Sequence, residues 1–262
     1  MKEKHQPPKN RQRQEQVQIP ENLICGRNAL RELLASGRSI DKVLVQRGER
    51  DGSILELIRE LRDRKVPIIE TDKNKLDTLT GHARHQGVVA YAAERDYFSV
   101  EDILSYAEER GEAPLIIICD GVEDPHNLGA IIRTADCVGA HGVIIPKRRS
   151  VGLTSVVSKA SAGAIEHVRV ARVTNLATTI DDLKEKGVWI YAADMDGKPY
   201  YEERLTGAVA LVLGSEGFGI SRLVKEKCDF VLSIPLYGQV NSLNVSNAAA
   251  VLLCEVARQR HS

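Results

Sequence analysis

From residue 114 onward, six short apolar runs alternate with amphipathic stretches, and that alternation restricts the fold more than any other feature of the chain. The runs are "PLIIICD" (114–120), "GVIIP" (142–146), "HVRV" (167–170), "VWIYAAD" (188–194), "VALVLG" (209–214) and "FVLSIP" (230–235). Each is short for a helix, and several are apolar at consecutive positions rather than at every second one. A strand buried on both faces reads this way, because helices cover both sides of a mostly parallel sheet. The sequence therefore predicts an α/β domain, in which ligands collect at the carboxyl ends of the strands.

A smaller α/β unit precedes it. "NALRELLASG" (28–37) has a capping-type Asn28, leucines at helical spacing and a closing glycine, and "DKVLVQ" (41–46) alternates as a strand does. "SILELIRELRDRK" (53–65) is an amphipathic helix, followed by "VPIIE", a short helix near 72–79 and "GVVAYAA" (87–93). The expected organisation is a flexible basic tail over 1–20, a small domain over 21–95, a linker over 96–113 and the larger domain over 114–262. The linker is charged and carries one short helix opened by Ser99, with Glu101 and Asp102 behind it.

The 262 residues include 36 Lys or Arg and 36 Asp or Glu, so a net charge of +0 gives no overall pull towards nucleic acid or membrane. Any such partner must be met locally. The first twenty residues hold five basic side chains, two glutamates and three prolines, the composition of a solvated tail. No apolar stretch follows them as in a signal peptide, and no run approaches the roughly 18 apolar residues of a membrane span, so a cytoplasmic protein is expected. Five cysteines lie far apart with no CxxC or Cys/His cluster, which predicts free, mostly buried thiols and no metal site.

Three clusters follow strand ends. "DGVEDPHNLGAIIR" (120–133) is a turn leading into a helix, with Asn127 in the first turn and Arg133 further along. Simple capping and a surface arginine would explain it equally well. "LVLGSEGFGIS" (211–221) places Gly214, Gly217 and Gly219 around Glu216, a loop in which backbone groups could approach a ligand closely. It is neither a P-loop nor a GxGxxG fingerprint. The third, "IPLYGQVNSLNVSNAAA" (234–250), opens a C-terminal helix with more amides and hydroxyls than one cap can use. Ile234, Leu236 and Leu243 could hold a flat apolar ligand between two backbone segments.

In order and spacing these three stretches resemble the signature motifs of the SpoU (TrmH) family of RNA 2′-O-ribose methyltransferases. "IPKRRS" and "VTNLA" resemble the subgroup that modifies a guanosine of bacterial 23S rRNA. The resemblance covers residues 21–262 and implies a C-terminal SPOUT-type α/β domain with a trefoil knot, behind a small ribosomal-protein-like RNA-binding domain. It also implies a homodimer and S-adenosyl-L-methionine as cofactor. By motif position, Gly214, Ile234 and Leu243 would hold the adenosyl part, with Leu213 and Leu236 beside them. Asn127, Arg133, Glu216, Ser242 and Asn244 would form the polar catalytic site.

For RNA the local basic groups are Arg27 and Arg84 in the first domain and Lys147 and Arg148 in "PKRRS". Phosphate contacts must dominate, because three Phe and one Trp cannot supply extensive stacking. Two other readings remain at this stage. A tRNA methyltransferase of the same family shares every motif, and a non-catalytic RNA-binding ribosome-assembly factor could keep the fold without the chemistry. An ordinary nucleotide-dependent oxidoreductase is disfavoured by the missing first-strand glycine fingerprint.

Overall fold

Two sheets organise the chain in a computed structural model that describes residues 22–48, 51–93 and 95–262. The expected tail over 1–20 lies outside the described residues. The first sheet has β1 (Leu23–Cys25), β2 (Ile40–Gln46), β3 (Ile68–Thr71) and β4 (Val88–Ala92) in the order β1-β4-β2-β3. Only β2 and β3 run parallel. Helices α1 (Arg27–Ala35) and α2 (Gly52–Asp63) cover one face, because Leu30, Leu34, Ile54, Leu57 and Leu61 recur at helical spacing. The short α3 (Lys73–Leu79) covers the other through Leu76, which meets Leu44 and Val89.

Residues 96–113 do more than span the two units. Ser99 and Asp102 form a reciprocal capping box at the start of α4 (Val100–Glu109), which buries Ile103 and Ala107. Ile103 belongs to the core of the second domain, where Gly142 faces it so closely that an added Cβ would lie 2.5 Å from its side chain. The short helix expected after Ser99 is present, and the charged composition of the stretch hid only its apolar stripe.

The second sheet contains β5 (Leu115–Asp120), then α5 (Pro125–Cys137), β6 (Gly142–Pro146), α6 (Ser155–Ala160), β7 (Arg169–Val173), α7 (Leu176–Glu185) and β8 (Trp189–Pro199). It continues with β9 (Val209–Gly214), α8 (Arg222–Lys227), β10 (Phe230–Ser233) and α9 (Val245–Arg260). All six strands are parallel, in the order β10-β8-β9-β5-β6-β7. Leu115, Ile117 and Cys119 point to α5 and α9, whereas Ile116 and Ile118 point to α4, α7 and α8. Burial on both faces is why these strands lack alternation. β8 is longer than its apolar run because Lys198 and Pro199 pair again with β10 after a register shift, and Gly197 admits the β10 backbone there.

A buried seam joins the domains. Arg172 on β7 donates to Asp41 Oδ1 on β2 at 3.0 Å and, from its other terminal nitrogen, to the Asp41 carbonyl at 2.9 Å. Tyr97 donates to the same carboxylate and accepts from the Leu153 backbone N–H at 2.9 Å. Burial pushes the Asp41 carboxyl up, against Arg172 and Tyr97, which hold it down. Asp41→Asn keeps the shape but leaves a buried guanidinium unpaired, and the expected loss is about 3 to 5 kcal/mol. Urea unfolding of both proteins measures it; a loss well under 1 kcal/mol would show that the seam is not a stabilising contact.

Candidate active site

Three remote pieces of chain converge beyond the carboxyl ends of β5, β9 and β10. β5 ends in the buried Asp120, whose Oδ2 accepts from the Ser221 N–H at 2.7 Å and so fixes the far side of the glycine-rich loop. The next helix, α5, starts at Asp124, which caps it by accepting from the His126 N–H, with Pro125 at a position that needs no donor. That start sets Asn127 in the first turn, buried and facing the loop after β9.

The loop is a closed hairpin. Ser215 and Gly219 exchange backbone hydrogen bonds, 3.0 Å each way, and Gly217 and Gly219 take φ of +88° and +67°. Gly214 also has a role within the loop itself. A Cβ there would lie 2.2 Å from the Gly219 carbonyl carbon, so this glycine admits the loop's own backbone. The hairpin thereby holds Glu216 against Asn127.

After β10 the chain runs irregularly through Ile234–Leu243 before α9 begins. Asn244 is the N-cap of α9: its Oδ1 accepts from Ser246 N at 2.9 Å and Asn247 N at 3.4 Å. Its Nδ2 donates to Glu216 Oε1 at 2.6 Å and Asn127 Oδ1 at 2.9 Å, while Asn127 Nδ2 donates to the same Glu216 oxygen at 2.9 Å. The surplus of amides in the sequence is thus partly a cap and partly this triangle. No described residue donates to Glu216 Oε2.

The triangle stands between two cavities. The first, about 620 Å³, is lined by Leu213, Gly214, Ile234, Leu236 and Leu243, with Glu216, Ser242 and Asn244 on its polar side. All five residues expected to hold a cofactor and three of the five expected to be catalytic therefore share one wall. The second, about 490 Å³, is lined by Asn127, Glu123, Arg149 and Phe218, and shares Ser215, Glu216, Gly219 and Val245 with the first. Arg133 lines neither; it lies on the exposed face of α5. Burial pushes the Cys119 thiol, one residue before Asp120, up to about 12, so it is a core group rather than a nucleophile.

The basic groups expected to meet RNA divide. Arg84 and Arg148 are exposed. Arg27 is committed within its own domain, donating to Asp51 at 2.8 Å, Ser53 at 2.7 Å and the Gln86 carbonyl at 3.0 Å. Lys147 donates to the Lys65 carbonyl at 3.3 Å across the seam, and burial and neighbouring cations lower its pKa. Arg149, exposed and with φ of +55°, escaped sequence reasoning because nothing in "PKRRS" says which arginine turns into a cavity.

A largely apolar cavity with a few converging polar groups, at the carboxyl ends of parallel strands, is the usual setting for an adenosine-containing cofactor. Comparison with known proteins specifies it. Residues 114–254 match the SpoU rRNA Methylase family, and residues 23–98 match the RNA 2′-O ribose methyltransferase substrate-binding domain. A Staphylococcus aureus (strain MSSA476) protein assigned to the TrmH family of tRNA/rRNA methyltransferases is 48% identical over 244 residues, 93% of this chain and 98% of the relative. Among solved structures, the SpoU methyltransferase AviRb from Streptomyces viridochromogenes, in complex with AdoMet, is 26% identical with a TM-score of 0.59, covering 91% of this chain and 90% of its own. A TrmH-family protein from Porphyromonas gingivalis is 27% identical with a TM-score of 0.53, over 90% of this chain and 89% of its own.

The chain belongs to the SpoU rRNA methylase family. It is an S-adenosylmethionine-dependent RNA methyltransferase with an N-terminal substrate-binding domain, and the first cavity fits the cofactor in size, apolar walls and polar rim. Because Asn244 both caps α9 and ties Glu216, Asn244→Ala confounds two losses. Asn244→Ser keeps a capping oxygen and removes the donors to Glu216 and Asn127. Its stability should stay within about 1 kcal/mol of wild type, while calorimetry shows cofactor affinity lower by about tenfold or more, the worth of a charge-assisted hydrogen bond. Unchanged affinity would remove the triangle from the site.

Proposed function

We propose that this protein transfers a methyl group from S-adenosylmethionine to the ribose 2′-hydroxyl of a guanosine in 23S rRNA, and that it works in the cytoplasm as a homodimer. The observation that carries the reading is the Asn127–Glu216–Asn244 triangle, set between a cofactor-sized cavity and a second one that shares the Glu216 wall. The rRNA and guanosine assignments rest on the "IPKRRS" and "VTNLA" resemblance. The knotted C-terminal path implied by the same resemblance is part of this reading.

When bound, the cofactor supplies an electrophilic methyl on a sulfonium. The chain's own task is to orient the ribose and stabilise charge at its 2′ oxygen, so preorganised groups matter more than covalent chemistry. Glu216 is pinned through Oε1, which leaves Oε2 to accept from a ribose hydroxyl. The rigid amides of Asn127 and Asn244 keep that carboxylate from swinging away. Ser242, exposed on the cofactor wall, can donate to a ligand oxygen. Arg133 suits phosphate binding and charge stabilisation rather than proton abstraction, since a guanidinium holds its proton and makes a poor base.

The position of Arg133 bears on the dimer. It reaches neither cavity of its own chain, so its role in this reading is in a partner's site, delivered by the exposed face of α5. Mixing Arg133→Ala and Glu216→Ala subunits, each expected to be inactive alone, should then restore about a quarter of wild-type activity, since half the dimers are mixed and each has one intact site. No recovery would place Arg133 in its own subunit's chemistry or outside the reaction.

The substrate test is direct. The protein is incubated with S-adenosylmethionine and unmodified 23S rRNA or tRNA transcripts, and ribose methylation is located by mass spectrometry. A single 2′-O-methylguanosine in 23S rRNA is the expected outcome. Methylation of tRNA alone would discard the rRNA assignment and keep the reaction.

A further inference from the structure

Phe218 is 96% exposed at the apex of the hairpin that carries Glu216. Loops often expose a side chain, but this one is displayed by a rigid mount. The reciprocal Ser215–Gly219 hydrogen bonds close the hairpin, and the left-handed Gly217 and Gly219 flank the ring on either side. Leaving a phenylalanine in water forgoes most of the gain that burying it would bring. Something apolar and flat would recover that gain.

The second cavity tells what could lie there. Phe218 lines it together with Arg149, Asn127 and the shared Glu216. Arg149 adopts φ of +55°, a left-handed conformation uncommon outside glycine. Its loop is fastened on the far side, where Val151 N–H donates to the Val122 carbonyl at 3.1 Å and Leu153 N–H to Tyr97 at 2.9 Å. Gly152 sits against Asp41 so tightly that a Cβ would lie 2.3 Å from the carboxylate. Aromatic ring and guanidinium are therefore both presented by fixed backbone, and neither has a partner within the described residues.

We propose that Phe218 is the stacking platform for the base of the nucleotide to be methylated, with Arg149 holding an adjacent phosphate. The second cavity, at about 490 Å³, is then the seat of that nucleotide. An aromatic face beside a cation is the pair that holds an unstacked nucleotide, and the ring accepts any base because every base has a π face. The shared wall explains the placement: a ribose held between ring and guanidinium abuts Glu216 and Asn127, with the cofactor cavity on the other side of Glu216. This assignment rests on the methyltransferase reading of the same site and adds the residues that position its RNA substrate.

The test uses the full chain with S-adenosylmethionine and the 23S rRNA and tRNA transcripts. Phe218→Ala and Phe218→Leu should lower kcat/KM for the methylated transcript by roughly 5- to 150-fold, the equivalent of one stacked base. Phe218→Trp should restore it to within about threefold, since indole also stacks. Arg149→Ala should weaken RNA binding and reduce the salt slope by about one. The calorimetric affinity for the cofactor should not change, because Phe218 and Arg149 lie outside the first cavity. Wild-type kcat/KM in Phe218→Ala, or in Phe218→Leu, overturns the platform, as does an altered oligomeric state of Phe218→Ala by light scattering, which would make the ring a subunit contact. If the wild type methylates neither transcript, the function reading fails instead. Filter binding of the transcripts then still judges Phe218, with equal affinities of wild type and Phe218→Ala counting against it.

Discussion

The site depends on one carboxylate oxygen. Glu216 Oε1 accepts two amide donors, and with the Asn244–Asn127 bond it joins residues 28, 89 and 117 positions apart in the sequence. Removing any corner breaks two of the three bonds and leaves one, so the remaining pair loses its fixed orientation more than its stability. The same three bonds set the loop after β9 against the starts of α5 and α9. The two cavities have walls in common because these segments cannot separate.

The seam explains how the first domain can influence this chemistry from a distance. Asp41 meets Arg172 and Tyr97 in a region closed to water, and the hydroxyl of Tyr97 also fastens Leu153. The pairing is incomplete, since Asp41 Oδ2 and Arg172 Nε are buried without partners. An ion pair of that kind contributes orientation more than net stability. What it orients is the loop after β6, which runs from Lys147 at the seam to Arg149 at the second cavity. In the proposed reading, RNA held on the first domain would thereby keep a fixed position relative to the second cavity.

The sequence made the sheet legible because burial on both faces leaves a signal of consecutive apolar residues, as in "LIIIC". The α4 helix was harder to place: its apolar stripe is only Ile103 and Ala107 among charged neighbours, and its packing partner Gly142 is remote in sequence. At the site, Gly214, Glu216 and Asn244 stood out as residue types in excess of local need. What they do was less accessible. That Gly214 also makes room for the backbone of Gly219 is a fact of close backbone approach, and no spacing rule encodes it. Arg133 and Asn127 share a helix, yet one is exposed and the other buried, because six residues rotate a helix well away from a whole number of turns.

Neutral net charge is compatible with an RNA substrate once the cations are sorted by whether they are already used. Arg27 and Arg172 neutralise carboxylates inside the protein, and Lys147 is spent on a carbonyl at the seam. Arg84, Arg148 and Arg149 remain exposed. A few unpaired cations at set positions give a phosphate backbone register rather than overall attraction. Non-specific association scales with the number of phosphates neutralised, so it depends on how many exposed cations the RNA can reach at once. In the proposed reading, selectivity comes from contacts at the reacting nucleotide, beside the hairpin and the triangle that hold Glu216 in place.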